Sequence, residues 1–154
     1  PDFGRQPFVE PVLIREMKRS DLDWAHDLDC RLFSDAAWEK EDMQAAFLPG
    51  RRFFVEEGKK LEGWAGMDAS GAFAHILSID VEPSFQGKGL GSSLLSSLLS
   101  SAKDMGKKKC ILEVSCDNEK ALGLYKKFGF KTRGRIEGYY PSSDAFVMEK
   151  DLEG

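Results

Sequence analysis

The sequence predicts an α/β domain built on a mixed sheet, and three observations carry that prediction. Apolar stretches of strand length alternate with amphipathic stretches of helix length, in the order β-α-α-β-β-β-α-β-α-β-β. The apolar run Ile76–Val81 passes through a proline turn into Gly87-Lys88-Gly89-Leu90-Gly91, and a Ser/Leu helix follows at once. The length of 154 residues fits one domain, and apolar and charged fractions of 42% and 31% are ordinary for a globular chain.

Each element has a local cause. Pro1–Pro11 reads as a loose lead-in with no apolar signal-peptide core, so the domain is expected over residues 12–151. Val12–Met17 is a short strand. Ser20 with Asp23 has the form of a capping box, and Leu22, Ala25, Leu28 and Leu32 then fall on one helical face. His26 lies in that helix with no evident partner and reads as a surface or boundary residue rather than a catalytic one. Glu39–Leu48 forms a second short helix, stopped by Pro49-Gly50. Arg52–Glu57 and Leu61–Asp68 read as a hairpin about Glu57-Gly58-Lys59. Ala72–Val81 is a strand, and Leu90–Met105 is a helix with a Leu90/Leu94/Leu95/Leu98/Leu99/Ala102 stripe that ends at Gly106. Lys109–Ser115 is a strand, Asp117–Phe128 a helix ended by Gly129, and Phe130–Ile136 and Asp144–Lys150 the last two strands.

Bulk properties remove several function classes. A net charge of −4 argues against a nucleic-acid surface, and Lys107–Lys109 reads as the solvated entry to a strand. No apolar run approaches the ~18 residues of a membrane span. Three cysteines, Cys30, Cys110 and Cys116, show no metal-ligand spacing, which points to reduced thiols, a cytoplasmic location and no metal.

The glycine loop carries chemistry. Glycine lets backbone N–H groups approach an anion closely, and a helix N-terminus adds unpaired N–H groups and a positive dipole end. A dinucleotide-binding reading has support, because Glu113 stands 22 residues beyond Gly91. Against it, the third glycine of that fingerprint is Ser92 here, and Glu82–Gln86 separate strand from glycines. The unit also starts mid-chain, with no second mononucleotide half behind it. A phosphate-binding P-loop fails too, because Gly89 follows Lys88 where Ser or Thr is required.

Gln86-x-x-Gly89-x-Gly91 one turn after a strand resembles the pyrophosphate-binding motif of the GNAT superfamily of N-acetyltransferases. The resemblance continues through Leu112-Glu113-Val114-Ser115-Cys116-Asp117-Asn118, Ala121, Leu124-Tyr125 and Phe128-Gly129-Phe130, then Tyr139-Tyr140-Pro141 and Asp144–Met148. It is strong over residues 75–150 and closest to the branch that acetylates protein N-termini: bacterial ribosomal-protein alanine N-acetyltransferases and archaeal and eukaryotic N-terminal acetyltransferase subunits. It implies the GNAT fold, a mixed, mostly antiparallel sheet of about seven strands flanked by about four helices.

The resemblance also implies roles. Acetyl-CoA would be the co-substrate, its pyrophosphate held by Gln86, Gly87, Lys88, Gly89, Leu90, Gly91 and Ser92. The splayed strand edge Ile79-Asp80-Val81 and Asn118 would contact the rest of it. Tyr125 is the candidate acid, since a phenol of pKa about 10 can protonate a leaving thiolate of about 8.5. The other reading makes Tyr125 a core residue of the Ala121/Leu124/Phe128 stripe. Glu113 is the candidate base, with an exposed strand carboxylate as its alternative. His75 opens its strand as in archaeal and eukaryotic members and would relay a proton, or else make a structural hydrogen bond. Tyr139 and Tyr140 would bracket the substrate backbone, and Phe33 and Trp38 would wall the pocket for the N-terminal residue. Ser115 departs from the Arg usual in bacterial members, which removes any role of that Arg. Cys110 and Cys116 read as buried strand residues, since direct attack needs no acyl-cysteine.

The function implied is acetyl transfer to the N-terminal α-amine of a protein or peptide, a ribosomal protein among the candidates, by direct attack in a ternary complex. No nucleic acid or membrane is implied, and an auxiliary subunit is compatible with the sequence but not implied by it. Acetylation of lysine or a small amine, and a non-catalytic acetyl-CoA-binding subunit, are the alternatives.

Overall fold

The computed structural model describes residues 12–153, so the lead-in expected over residues 1–11 lies outside the described residues. Its elements are β1 (Leu13–Glu16), α1 (Leu22–Phe33), α2 (Lys40–Gln44), β2 (Arg51–Glu57), β3 (Leu61–Asp68), β4 (Ala74–Val81), α3 (Leu90–Asp104), β5 (Lys109–Ser115), α4 (Glu119–Lys127), β6 (Lys131–Tyr140) and β7 (Ser143–Asp151). The order and kind of the elements are those read from the sequence. The seven strands form one sheet in the order β1-β2-β3-β4-β5-β7-β6. Every pairing is antiparallel except β4–β5, where the α3 crossover brings the chain back in the same direction.

Apolar residues alternate along the strands, so the sheet separates two cores. Leu94, Leu95, Leu98, Leu99 and Ala102 of α3 meet Ala65, Met67, Ile76, Leu112 and Met148 on one face, where Tyr125 of α4 joins them. Ala25, Leu28 and Met43 meet Phe53, Val55 and Trp64 on the other. Trp64 is wholly buried, donates its indole N–H to the Ala25 carbonyl at 3.1 Å and stacks on Phe53. A Cβ at Gly66 would stand 2.4 Å from the Phe53 ring, so only glycine admits that ring there. Leu152 is also buried in the first core, one residue beyond the expected domain end.

Three local expectations are corrected. Asp21 closes the capping box of the tight turn Arg19–Asp21 that leads into α1, where Ser20 with Asp23 was expected: its carboxylate accepts the Lys18 N–H at 2.8 Å and takes two hydrogen bonds from Arg15 of β1. That choice is tertiary, because the cation comes from a neighbouring strand. Asp23 faces solvent and pairs with Lys40. The last helix starts at Glu119, later than expected, because the Asn118 side chain caps it by accepting the Ala121 N–H at 3.2 Å. β6 runs through to Tyr140, so Tyr139 and Tyr140 are strand residues, and Phe130 is buried edge-on against Tyr125.

Candidate active site

β4 and β5 share only the register pairs Ala74↔Cys110 and His75↔Ile111. Beyond them the strands part. Two features of the sequence drive the separation. Leu77 is an extra residue in β4, since Gly66 pairs with Ser78 while Met67 pairs with Ile76, and such a bulge bends its strand. The five-residue turn and glycine loop after β4 then carry the chain away to α3. The strand separation inferred from the family resemblance is therefore present.

A cavity of about 530 Å³ fills the gap. Ile76–Ile79 line it from β4 and Leu112–Ser115 from β5; Asn118, Ala121 and Tyr125 from α4; Leu32, Phe33 and Trp38 from α1 and its exit; and Tyr140 from β6. Residues distant in the sequence, Phe33, Trp38, Ile79, Glu113, Asn118, Tyr125 and Tyr140, are thus brought to one place.

His75 Nε2 lies 2.5 Å from Glu113 Oε2. The two side chains share a face because His75 pairs with Ile111 and Glu113 is two residues further along β5. Both retain access to solvent, His75 more than Glu113. On the α4 side, Tyr125 is 7% exposed and its ring packs in the core, so the core reading of this residue holds for the ring. Its hydroxyl has no hydrogen-bond partner among the described residues, and Tyr125 lines the cavity. Burial pushes its phenol well above the usual value, with Tyr140, Asp80 and Cys110 adding to the rise, so the group stays protonated at neutral pH. Tyr140 is pushed up to about 12, chiefly by burial, and donates to the Glu113 carbonyl at 3.4 Å. Tyr139 packs edge-on against Tyr140 but is 47% exposed and lies outside the cavity lining.

The glycine loop lies at the other end of β4. Gln86 folds back, its side-chain amide donating to the Val81 carbonyl at 3.1 Å. Gly89 has φ +86° and begins α3 without a side-chain cap. The first hydrogen bond of the helix is Ser93 N–H to the Gly89 carbonyl. The successive N–H groups of Gly87, Lys88, Gly89, Leu90, Gly91 and Ser92 therefore have no acceptor among the described residues. A Cβ at Gly87 or Gly89 would meet nothing, so the approach is open. The Lys88 ammonium rests over the Phe85 ring. Within Ile79-Asp80-Val81, only Ile79 lines the cavity; the Asp80 side chain is wholly buried.

Several parts of the site carried no signal in the sequence. Glu82 ties α1 to the turn after β4, accepting from the Trp24 indole at 3.1 Å and from both Arg31 Nη atoms at 2.9 and 2.7 Å. His26, expected to be without a partner, lies 3.0 Å from the Trp38 carbonyl through Nε2. Asp29 accepts the Trp38 N–H at 2.7 Å. These contacts join residues from separate elements, and only the turn at Ala37–Trp38 brings them together. Cys110 is buried, its thiol pushed up to about 12 by that burial, as suits a strand residue.

A phosphate-sized grip at one end of a strand and proton-transfer groups where that strand parts from its neighbour fit an acyl-transfer enzyme. The chain belongs to the acetyltransferase (GNAT) family, whose sequence profile matches residues 13–130. It is 32% identical over 152 residues to the N-alpha-acetyltransferase RimI of Mycobacterium tuberculosis, covering 93% of this chain and 94% of that one. It is also 32% identical over 116 residues to the peptidyl-lysine N-acetyltransferase YjaB of Escherichia coli, covering 75% of this chain and 72% of that protein. In fold it is similar to the ribosomal-protein-S18-alanine N-acetyltransferase from Escherichia coli, with a TM-score of 0.85 at 24% identity, covering 94% of this chain and 96% of that one.

Proposed function

We propose that this protein transfers the acetyl group of acetyl-CoA to the N-terminal α-amine of a protein or peptide by direct attack. The observation that carries the proposal is that Glu113, paired with His75, and Tyr125, whose hydroxyl has no hydrogen-bond partner among the described residues, line one cavity. The near full-length similarity to a named N-alpha-acetyltransferase supports the α-amine over the lysine side chain.

Acetyl-CoA supplies the activated thioester when bound. The residues present fit it: the six free N–H groups from Gly87 to Ser92 suit a pyrophosphate, and the dipole of α3 adds to the attraction. The parted edge of β4 offers backbone donors to an acetyl carbonyl. Asn118 holds the start of α4 and so sets the position of Tyr125.

The incoming α-amine, of pKa about 7.7–8.0, is largely protonated at neutral pH. Glu113, with His75, takes that proton. The amine nitrogen bonds to the thioester carbonyl carbon, the carbon–sulfur bond breaks, and Tyr125 protonates the departing thiolate. The second proton, lost from the attacking nitrogen as the amide forms, restores the Tyr125 phenol through solvent. Phe33, Trp38 and Tyr140 enclose the N-terminal residue, and Tyr139 braces Tyr140 from outside the cavity. A ribosomal protein and a cytoplasmic setting belong to the same proposal; among the described residues, no helix is long and apolar enough to cross a membrane.

The test is release of coenzyme A thiol with acetyl-CoA and a panel of short peptides that differ at the first residue. Turnover that depends on a free N-terminus is expected. Acetyl-CoA binding with no turnover of any peptide would overturn the enzyme reading.

A further inference from the structure

Asp29 of α1 and Asp80 of β4 are 1% and 0% exposed and lie against one another. Ser78 Oγ donates to Asp80 Oδ1 at 2.6 Å and lies 3.5 Å from Asp29 Oδ1. The remaining oxygen of Asp80, Oδ2, is buried with no hydrogen-bond partner among the described residues. Asp29 Oδ2 accepts the Trp38 N–H, and His26 holds the Trp38 carbonyl. The other groups acting on Asp80 are the Trp64 indole of β3 and the Tyr125 phenol of α4, neither of them a cation.

Two carboxylates buried in contact without a cation cannot both be ionised. The orphan Asp80 Oδ2 is the oxygen free to carry a proton, and a protonated carboxyl can donate where a carboxylate only accepts. We infer that Asp29 and Asp80 form a one-proton carboxyl clasp, and that this clasp positions the Trp38 wall of the cavity against the splayed strand, setting peptide affinity more than the rate of acetyl transfer. The effect on peptide affinity rests on the proposed N-terminal acetyltransferase function; the shared proton does not. Burial, and then Asp29, drive the Asp80 carboxyl well above the usual carboxylate range, in keeping with this. A merely stabilising role fits less well, because apolar residues fill a buried site at least as favourably as a charged pair, whereas here Asp29 alone accepts the Trp38 amide.

The experiment varies peptide and acetyl-CoA separately. Asp29→Ala is expected to raise the peptide KM about tenfold, the scale of one lost hydrogen bond to a charged group. The acetyl-CoA KM and kcat should move less than about threefold, within the span of an ordinary hydrogen bond. Asp29→Asn, whose amide oxygen still accepts the Trp38 N–H, should restore most of the peptide affinity. Two readouts need no turnover. The infrared carbonyl band of a protonated carboxylic acid should be present at pH 8, lost in Asp80→Asn and kept in Glu56→Gln. Hydrogen exchange at the Trp38 amide should quicken in Asp29→Ala and not in Asp29→Asn. If no peptide is acetylated, those two readouts still judge the clasp. Absence of the acid band, or an Asn variant as impaired as the Ala variant, would overturn it.

Discussion

Replacing Tyr125 by phenylalanine separates catalysis from packing at this site. The ring is buried, packs in the α3/α4 core and meets Phe130 edge-on at 5.6 Å, and all of this survives the substitution. The hydroxyl has no hydrogen-bond partner among the described residues, so its loss strands no donor or acceptor there. The stability cost is therefore below about 1 kcal/mol, or less than ~4 °C in Tm for a chain of this size. The catalytic cost is larger, because a positioned general acid contributes about 10²- to 10⁴-fold, roughly 3–5 kcal/mol of barrier. The assay is single-turnover acetyl transfer at saturating acetyl-CoA, with a thermal melt on the same preparation. Since burial raises the Tyr125 phenol, the wild-type rate should show no fall between pH 7 and 9 from its ionisation. A Tyr125→Phe rate within about threefold of wild type, well short of the general-acid range, would remove Tyr125 from the mechanism. A loss of rate matched by a collapse in Tm would make its role structural.

Glu113→Gln should lower kcat/KM by about 10²-fold or more at pH 7. The deficit should shrink by up to ~tenfold toward pH 9.5, where the α-amine deprotonates without help; a deficit constant with pH would contradict proton removal from the ammonium. Gly89→Ala forces a side chain into φ +86°, at a cost of about 1–2 kcal/mol. Its expected effect is an acetyl-CoA KM raised about tenfold, for which ~1.4 kcal/mol suffices, with the peptide KM unchanged. Glu56 is 3% exposed, its Oε2 has no hydrogen-bond partner among the described residues, and burial with Glu62 raises its carboxyl from 4.5 to about 7. A raised carboxyl favours the fold fully below pH 4.5, and that contribution disappears as pH rises through 7. Glu56→Gln should therefore gain up to ~3 kcal/mol over wild type at pH 9, or about 5–10 °C in Tm, and nothing near pH 4. Equal melting shifts at both pH values would show that Glu56 is not the titrating group.

The sequence was legible where chemistry is local. Alternation gave the strands, the Leu stripe gave α3, and the spacing of Gln86, Gly89 and Gly91 gave the loop whose N–H groups are free. Glu113, Tyr125 and His75 stand out through the family resemblance, and the structure brings Glu113 and Tyr125 to one cavity with His75 against Glu113. Features that depend on tertiary contact were not legible. Asp21 closes the capping box of the turn before α1, and Arg15 reaches it there from β1. The Leu77 bulge exists only relative to the β3 register. Asp29 and Asp80 look like ordinary acids until α1 is laid on β4, and His26 gains its partner only when Trp38 turns back beneath it.

The most direct test of the central claim uses one peptide carrying both a free α-amine and an internal lysine. The chain and acetyl-CoA are added, and the acetylated position is located by fragmentation mass spectrometry. The account predicts acetyl on the α-nitrogen, with loss of turnover when that amine is blocked. Acetyl on the lysine with the α-amine untouched would contradict it.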